Sequence, residues 1–395
     1  MPEASVFSSR AARITLVMLC VFATTGIVLP YLARWLEVER GLSGAEIGAV
    51  LSLPQLMRIF IGPVVGFWAD GAADRRAPLR MLTLAAIAAY GAFFFVAHDF
   101  WSLVVLGFVA ITIMQSLLPF IESATLRATA SGKISYGLAR GIGSLSFIVA
   151  NIAGGVLIAR FGLGAVAVWT LAALSSAAFA AWFALDAEPA PLLTESSGRR
   201  LDGAKALIRS RQFLLVIFAC GLIQCSHGFY YGFSTLVWRA QGVSPEMVGL
   251  LWAFAVAIEV AFLWSLPVIE KRMSAEALIL LGASGGLVRW LAMGFAPLGV
   301  VLWPLQALHA LTFAAAHVGA MRLIYREAPE ASAGLAQAIY ASLSGGLLIG
   351  GATLLSGVLY DAVGARGYWA MAALSMLGGA LAILLLSPPP RRANP

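Results

Sequence analysis

Apolar runs of about twenty residues follow one another along almost the whole chain, and only one long polar interval, residues 187–212, interrupts them. A run of that length is what an α-helix needs to cross the roughly 30 Å hydrocarbon core of a bilayer. In that medium every backbone amide and carbonyl must be satisfied within the protein, so repeated runs leave a helical bundle as the fold. They lie near 13–36, 45–69, 78–97, 101–127, 136–159 and 163–185, then 213–239, 246–269, 275–295, 297–325, 332–360 and 366–387. The pattern predicts an all-α membrane protein with twelve transmembrane helices in two six-helix bundles. Residues 1–186 form the first bundle, 187–212 a central loop, and 213–395 the second bundle.

Composition supports a polytopic membrane protein. Of the 395 residues 61% are hydrophobic and 11% charged, where a soluble globular chain carries about 25% charged residues. The segment MPEASVFSSRAARITLVMLC places basic residues before an apolar stretch, as a signal peptide does. No small-residue cleavage site and polar mature domain follow it, so it reads as the first span. Cys20, Cys220 and Cys225 fall inside apolar runs, which suits small hydrophobes better than disulfides or metal ligands. The chain has no Walker loop and no nucleophile elbow, and GIGSLS (141–146) sits within an apolar run. Neither ATP-driven transport nor soluble enzymology is supported, and no cofactor or metal is expected.

Lysine and arginine alternate between loops. One set holds Arg10, Arg13, Arg75, Arg76, Arg80, Arg127, Lys133, Arg199, Arg200, Lys205, Arg209, Arg211, Lys271, Arg272, Arg322, Arg326, Arg391 and Arg392. The other holds Arg34, Arg40, Arg160, Arg239 and Arg366. By the positive-inside rule both termini and the central loop are cytoplasmic. The net charge of +7 is then mainly this orientation signal, and a nucleic-acid partner is not expected. Six plus six spans around a polar linker is the layout of secondary transporters, whose substrates bind near the midplane between the halves.

Ionisable groups inside apolar spans are functional candidates because each is unfavourable by several kcal/mol unless it is paired or lines water. Glu122 lies near the inner end of span 4 with Gln115 two turns back on the same face. Arg140 sits just inside span 5, with Phe147 two turns further on. These four predict a binding cluster, the plainer alternative being a structural Glu–Arg clasp. Arg58, mid-way along span 2 with Gln55 one turn away, is expected to face the same cavity. Glu259 in span 8 and Arg289 in span 9 are single charges whose cheapest arrangement is to pair with each other. Span 7 carries Gln224, His227 and Tyr231 on one face, and span 10 carries Gln306, His309, Phe313 and His317 along one stripe. Histidine titrates near neutrality and suits proton coupling. GGLLIGG (345–351) and GGATLLSG (350–357) predict close helix contacts.

With these residues in place the whole chain resembles the major facilitator superfamily. The loop GFWADGAADRR (66–76) is similar to that family's signature. Gly66, Asp70, Arg75 and Arg76 fit it, while Gly71 stands where a basic residue is usual and Ala73 where a glycine is. The resemblance implies that this loop gates the cytoplasmic side. Within the family, the chain resembles the branch containing lactose permease and, more closely, the phenylpropionate permease group. LPFIESATLR followed by YGLARGIGSLSF (136–147) places Glu122, Arg140 and Phe147 where lactose permease has its sugar-binding glutamate, arginine and aromatic ring. CSHGFYYGF (225–233), AVAIEVAFLW (255–264), GGLVRWL (285–291), LQALHALTFAAAHVGAM (305–321) and GLAQAIYASLSGG (334–346) are similar to the phenylpropionate group. His309 and Arg289 match coupling residues of lactose permease. Thr312 stands where that permease has its proton-carrying glutamate, Gln306 where it has a lysine, and Glu259 about one turn from its span-8 glutamate.

The resulting expectation is a proton-coupled importer of a small organic solute such as an aromatic acid, nucleoside or sugar. It works by alternating access, as a monomer in a bacterial-type inner membrane. Substrate contacts fall to Glu122, Arg140, Phe147, Gln115, Arg58, His227 and Tyr231. Proton coupling falls to Glu259, Arg289, His309 and His317. Two alternatives remain: a proton-coupled drug or metabolite exporter of the same fold, and a transporter-like sensor without flux. Exporters carry a GPxxGG-like motif in span 5, and ANIAGG (150–155) has Asn151 where its proline would stand.

Overall fold

Polar helix-capping residues set where the apolar runs begin their helices. In the computed structural model, which describes residues 10–130, 135–188, 207, 209–328 and 333–386, Ser43 and Asp99 each form a reciprocal capping box, with Glu46 and Ser102. Ser135, Ser210, Ser244 and Ser274 accept an amide from the first turn that follows each of them. Such caps satisfy amides that have no partner within the helix. The first half comprises α1 (Arg10–Glu39), α2 (Gly44–Asp70), α3 (Arg76–Phe95), α4 (Phe100–Thr129), α5 (Tyr136–Phe161) and α6 (Gly164–Phe183).

The second half is less regular. Its first passage is split at Ser226–His227 into α7 (Arg211–Cys225) and α8 (Gly228–Ala240), followed by α9 (Pro245–Trp264), a short turn α10 (Leu266–Ile269) and α11 (Ala275–Gly294). Next come α12 (Leu302–Ala307), a π-helical segment Ala310–Ala315 and α13 (Ala316–Glu327). Then α14 (Ala333–Ser342) runs through a second π-helical segment, Leu343–Leu348, into α15 (Ile349–Val363), and α16 (Tyr368–Ile383) ends the fold. Eleven helical stretches among the described residues are long and apolar enough to cross a membrane, and the last, Gly334–Leu386, contains a 3-10 turn at Gly364–Gly367.

In the first half α1 packs on α5 and α6, and α3 on α4 and α6. In the second, α16 packs on α7 and α11. The halves meet chiefly through α2 against the α14–α15 passage, and through α5 against α9. Glycine makes the first crossing possible: a Cβ on Gly357 would collide with the carbonyl of Gly44, and one on Gly48 would lie 3.1 Å from the Gly357 Cα.

Four described hydrogen bonds join the halves. Asp361 accepts the amides of Gly44 and Ala45 at 2.7 Å each, capping α2 from the opposite half. Tyr360 Oη donates to Glu37 Oε1 at 3.1 Å, and Tyr31 Oη donates to the Pro245 carbonyl at 3.0 Å. All four lie at the end of the molecule away from the 187–212 linker, hereafter the far end. A vestibule of about 580 Å³, bounded by Tyr31, Arg34, Thr235 and Arg239, lies over this seal. At the linker end the described residues provide no such bridge.

A carboxylate at a helix N-terminus contributes about 1 kcal/mol. Asp361→Ala is therefore expected to lower the closed far-end population about fivefold, and Gly357→Leu to lower it further. Pulsed electron paramagnetic resonance between labels at the exposed Val38 and Val363 checks this, with a longer-distance population expected in both variants.

Candidate substrate and proton-coupling site

The first half offers a half-exposed ion pair. Glu122 Oε1 on α4 lies 3.1 Å from Arg140 Nε on α5, and their side chains are 32% and 39% exposed. Tyr136 Oη donates to the other Glu122 oxygen at 2.6 Å, and Arg140 Nη1 donates to Ser144 Oγ at 3.2 Å. Tyr136, Arg140 and Ser144 stand at four-residue intervals, which is why they form one stripe on α5. The ring over the Arg140 guanidinium is not Phe147, as the spacing suggests, but Phe22 of α1, at 4.6 Å. Gly26 brings α1 against the Phe147 backbone, so Phe147 is buried in the α1–α5 contact. Arg58 and Gln115 do not join this pair. They line a separate cavity of about 160 Å³ between α2 and α4.

In the second half the expected Glu259–Arg289 contact is not direct, because His309 stands between them. His309 Nε2 is 3.3 Å from Glu259 Oε2, and His309 Nδ1 is 3.1 Å from Arg289 Nη1. A guanidinium only donates, so Nδ1 of a neutral His309 accepts and its Nε2 carries the proton toward Glu259. Arg289 is fully buried and donates also to Thr312 Oγ1 at 3.2 Å and Gln306 Oε1 at 3.0 Å. The rings of Tyr230 and Trp290 each lie 4.5 Å from its guanidinium carbon. Tyr230 Oη shares Gln306 Oε1 at 2.9 Å.

His227 shows the opposite tautomer by the same reasoning. Its Nδ1 faces the Gln224 carbonyl at 3.0 Å and must donate, leaving Nε2 to accept from Thr312 Oγ1 at 3.0 Å. The aromatic stripe is continuous: His227 stacks on Tyr231 at 5.5 Å, His309 on Phe313 at 5.4 Å, and Phe313 on His317 at 6.2 Å. Glu259 lies in coulombic range of both His317 and Arg140, so the charged groups of the two halves face one another. The helix break at Ser226–His227 and the π-helical segment after His309 both fall in this network. π-bulges of this kind concentrate at functional sites.

The signature loop is tied to the start of the central linker. Arg75 Nη1, Arg127 Nε and Arg10 converge on the Glu188 carboxylate, the first two at 3.7 and 2.7 Å. The Arg75 amide donates to the Glu188 carbonyl at 2.9 Å, and Arg76 Nε donates to Asp74 Oδ2. Gly66 has open space around it. Asp70 closes α2, and its side chain lies outside the described residues, as do Lys133, Arg199, Arg200, Lys205, Arg391 and Arg392. Burial pushes the Glu188 carboxyl up, but the hydrogen bonds and charges of Arg127 and Arg10 outweigh that and hold it below the usual carboxylate range. Glu188, Tyr136 and Phe22 escape the sequence reading. The only signal for Glu188 is a lone acid facing a basic loop set.

Helices of this length and order, with ionisable side chains directed between two groups, define a membrane transporter rather than an enzyme. A model of the MFS_1-like family matches residues 12–371, and the chain belongs to that family. It is 28% identical over 357 residues to a probable 3-phenylpropionic acid transporter of Escherichia coli K12, covering 90% of this chain and 92% of that protein. It is 27% identical over 393 residues to a maltose permease of Geobacillus stearothermophilus, covering 98% and 97%. The crystal structure of the nucleoside transporter NupG superposes with a TM-score of 0.80 at 15% identity, covering 96% of this chain and 100% of that one.

A lowered carboxyl pKa stabilises the fold above the unfolded-state value of about 4.3, and that stabilisation is lost as pH falls through the folded-state value. Glu188→Gln is expected to destabilise the protein by about 1 kcal/mol at pH 7. The gap between variant and native protein should close below about pH 4, as followed by thermal unfolding in detergent.

Proposed function

We propose that this chain is a proton-coupled importer of a small organic solute, working by alternating access between bundles 1–186 and 213–395 joined by the linker 187–212. Twelve passes would bring both termini and the linker end to one side, which the Lys/Arg bias assigns to the cytoplasm, with the far end outside a bacterial-type inner membrane. The seal at Asp361, Tyr360 and Tyr31 then corresponds to an inward-open state. Glu122, Arg140, Phe147, Gln115, Arg58, His227 and Tyr231 form or support the solute site. Arg289, His309 and His317 serve the coupling carboxylate, Glu259, and the 66–76 loop serves the inner gate. The chain acts as a monomer.

The observation that carries this reading is Glu259 Oε2 lying 3.3 Å from His309 Nε2, with Arg140 of the other half in electrostatic range. Protonation of Glu259 removes a charge that is expensive to occlude, which favours closure around the solute. Its loss toward the cytoplasm frees the carboxylate to take the His309 proton donor again, and the solute leaves. Phenylpropionate is the first candidate, since the E. coli relative is a probable transporter of that acid. Maltose and nucleosides are the comparison solutes.

The test is uptake into proteoliposomes with an imposed pH gradient. Native protein is expected to accumulate one of these solutes only when the gradient is present. Glu259→Gln should lose about tenfold or more of that accumulation, a change of about 1.4 kcal/mol or more, while retaining solute exchange at equal pH. Gradient-driven accumulation by Glu259→Gln at the native level would remove Glu259 from the mechanism.

A further inference from the structure

Arg58 is the one cation midway along an apolar span that has no partner among the described residues. Arg140 is held by Glu122, and Arg289 by His309, Thr312 and Gln306. Arg58 makes neither an ion pair nor a hydrogen bond there, and no neighbouring charge acts on it. An arginine left so in an apolar span is strongly unfavourable unless an anion or water reaches it.

The surroundings of Arg58 suit an anion. The cavity of about 160 Å³ that it lines is completed by Thr112, Gln115, Ser116 and Phe120 of α4. The Thr112 hydroxyl is buried without a partner, and the Gln115 carboxamide makes no described hydrogen bond. Buried polar groups are normally satisfied, so the Thr112 hydroxyl points to a missing ligand or water, and the half-buried Gln115 amide is free to join it. No carboxylate side chain lines this cavity.

A second cavity of about 110 Å³ adjoins the first, and Gln115 lines both. It lies between the two halves, with Leu29, Leu51 and Ile111 on one side and Tyr231 and Thr353 on the other. Apart from its few polar groups it is an apolar compartment beside an aromatic ring. The first cavity carries the cation and the second the aromatic ring, and they share Gln115 at their junction.

We propose that these cavities are the two compartments of one site for an amphiphilic organic anion. The carboxylate sits on the Arg58 guanidinium, with the Thr112 hydroxyl and Gln115 amide as further donors, and the apolar tail lies against Tyr231. This inference rests on the transport reading above and names the substrate class for it. The position of Arg58 adds a selection step. Its Nη1 lies 3.7 Å from where a Cβ on Gly345 would stand, at the π-helical segment of the opposite half. Closing the linker end brings α2 further onto that segment and dries the guanidinium. A bound carboxylate removes the penalty, whereas a neutral sugar leaves it, so only the anion permits closure.

The test is ligand binding to purified protein in detergent, by isothermal titration calorimetry, with 3-phenylpropionate, 3-phenylpropionamide, acetate and maltose. The native protein is expected to bind the acid at least about tenfold tighter than the amide, one factor of ten being about 1.4 kcal/mol. Arg58→Gln should erase the acid-over-amide preference, and Arg58→Lys should restore part of it, which separates loss of charge from loss of fold. Tyr231→Ala should weaken phenylpropionate toward acetate while keeping the preference for acid. An Arg58→Gln protein that still prefers the acid overturns the proposal, as does native protein that binds maltose as tightly as the acid. Binding does not require flux, so the two readings fail separately. Arg58-dependent acid binding without any uptake sinks transport alone, and uptake of a neutral solute unaffected by Arg58→Gln sinks the anion site alone.

Discussion

Arg289 has no solvent around it and, among the described residues, no carboxylate touching it, and much of the second half is arranged to make that tolerable. A guanidinium offers five donors in a fixed plane. Here three of those donors, on Nη1 and Nη2, reach neutral acceptors on the 302–327 passage, His309 Nδ1, Thr312 Oγ1 and Gln306 Oε1, while Tyr230 and Trp290 cover its faces. Cation–π contacts are strongest when desolvated. The π-helical stretch after His309 lets one passage present all three acceptors at different heights. Because Arg289 occupies one ring nitrogen of His309, the proton of a neutral His309 must lie on the other, which stands 3.3 Å from Glu259 Oε2. A single buried cation thereby fixes the tautomer of its neighbour and the ring nitrogen that faces a carboxylate beyond.

The two ionic clusters differ in wetness. Glu122 and Arg140 keep about a third of their side-chain surface exposed, whereas Glu259 keeps 18% and His309 6%. Exposed pairs contribute little net stability and part readily, because water replaces the partner. Removing one member of a buried set leaves an uncompensated charge. The first half thus holds an ion pair that water can part, and the second half holds one whose members separate only by leaving a dry, uncompensated charge.

Much of this was legible beforehand. Length and hydropathy placed the helices to within a few residues, because a bilayer admits so few alternatives. Glu122 and Arg140 were readable as partners because they sit at facing ends of consecutive helices. The link from Glu259 to Arg289 was not, because three helices converge there and periodicity on one helix says nothing about which side chain stands between two others. The π-helical segments have no compositional signature. Phe22 replaced Phe147 over Arg140 because Gly26 allows α1 to approach, a tertiary effect invisible within α5.

The cap that Asp361 places on α2 has a consequence for how the far end parts. Two amides lose their acceptor when the halves separate, and a helix end cannot remain dry and unsatisfied. Water must therefore arrive as the carboxylate leaves, and the vestibule over the seal is its reservoir. Parting of the halves is in that sense a wetting transition, in which solvent is exchanged for a side chain bond by bond rather than a contact broken outright.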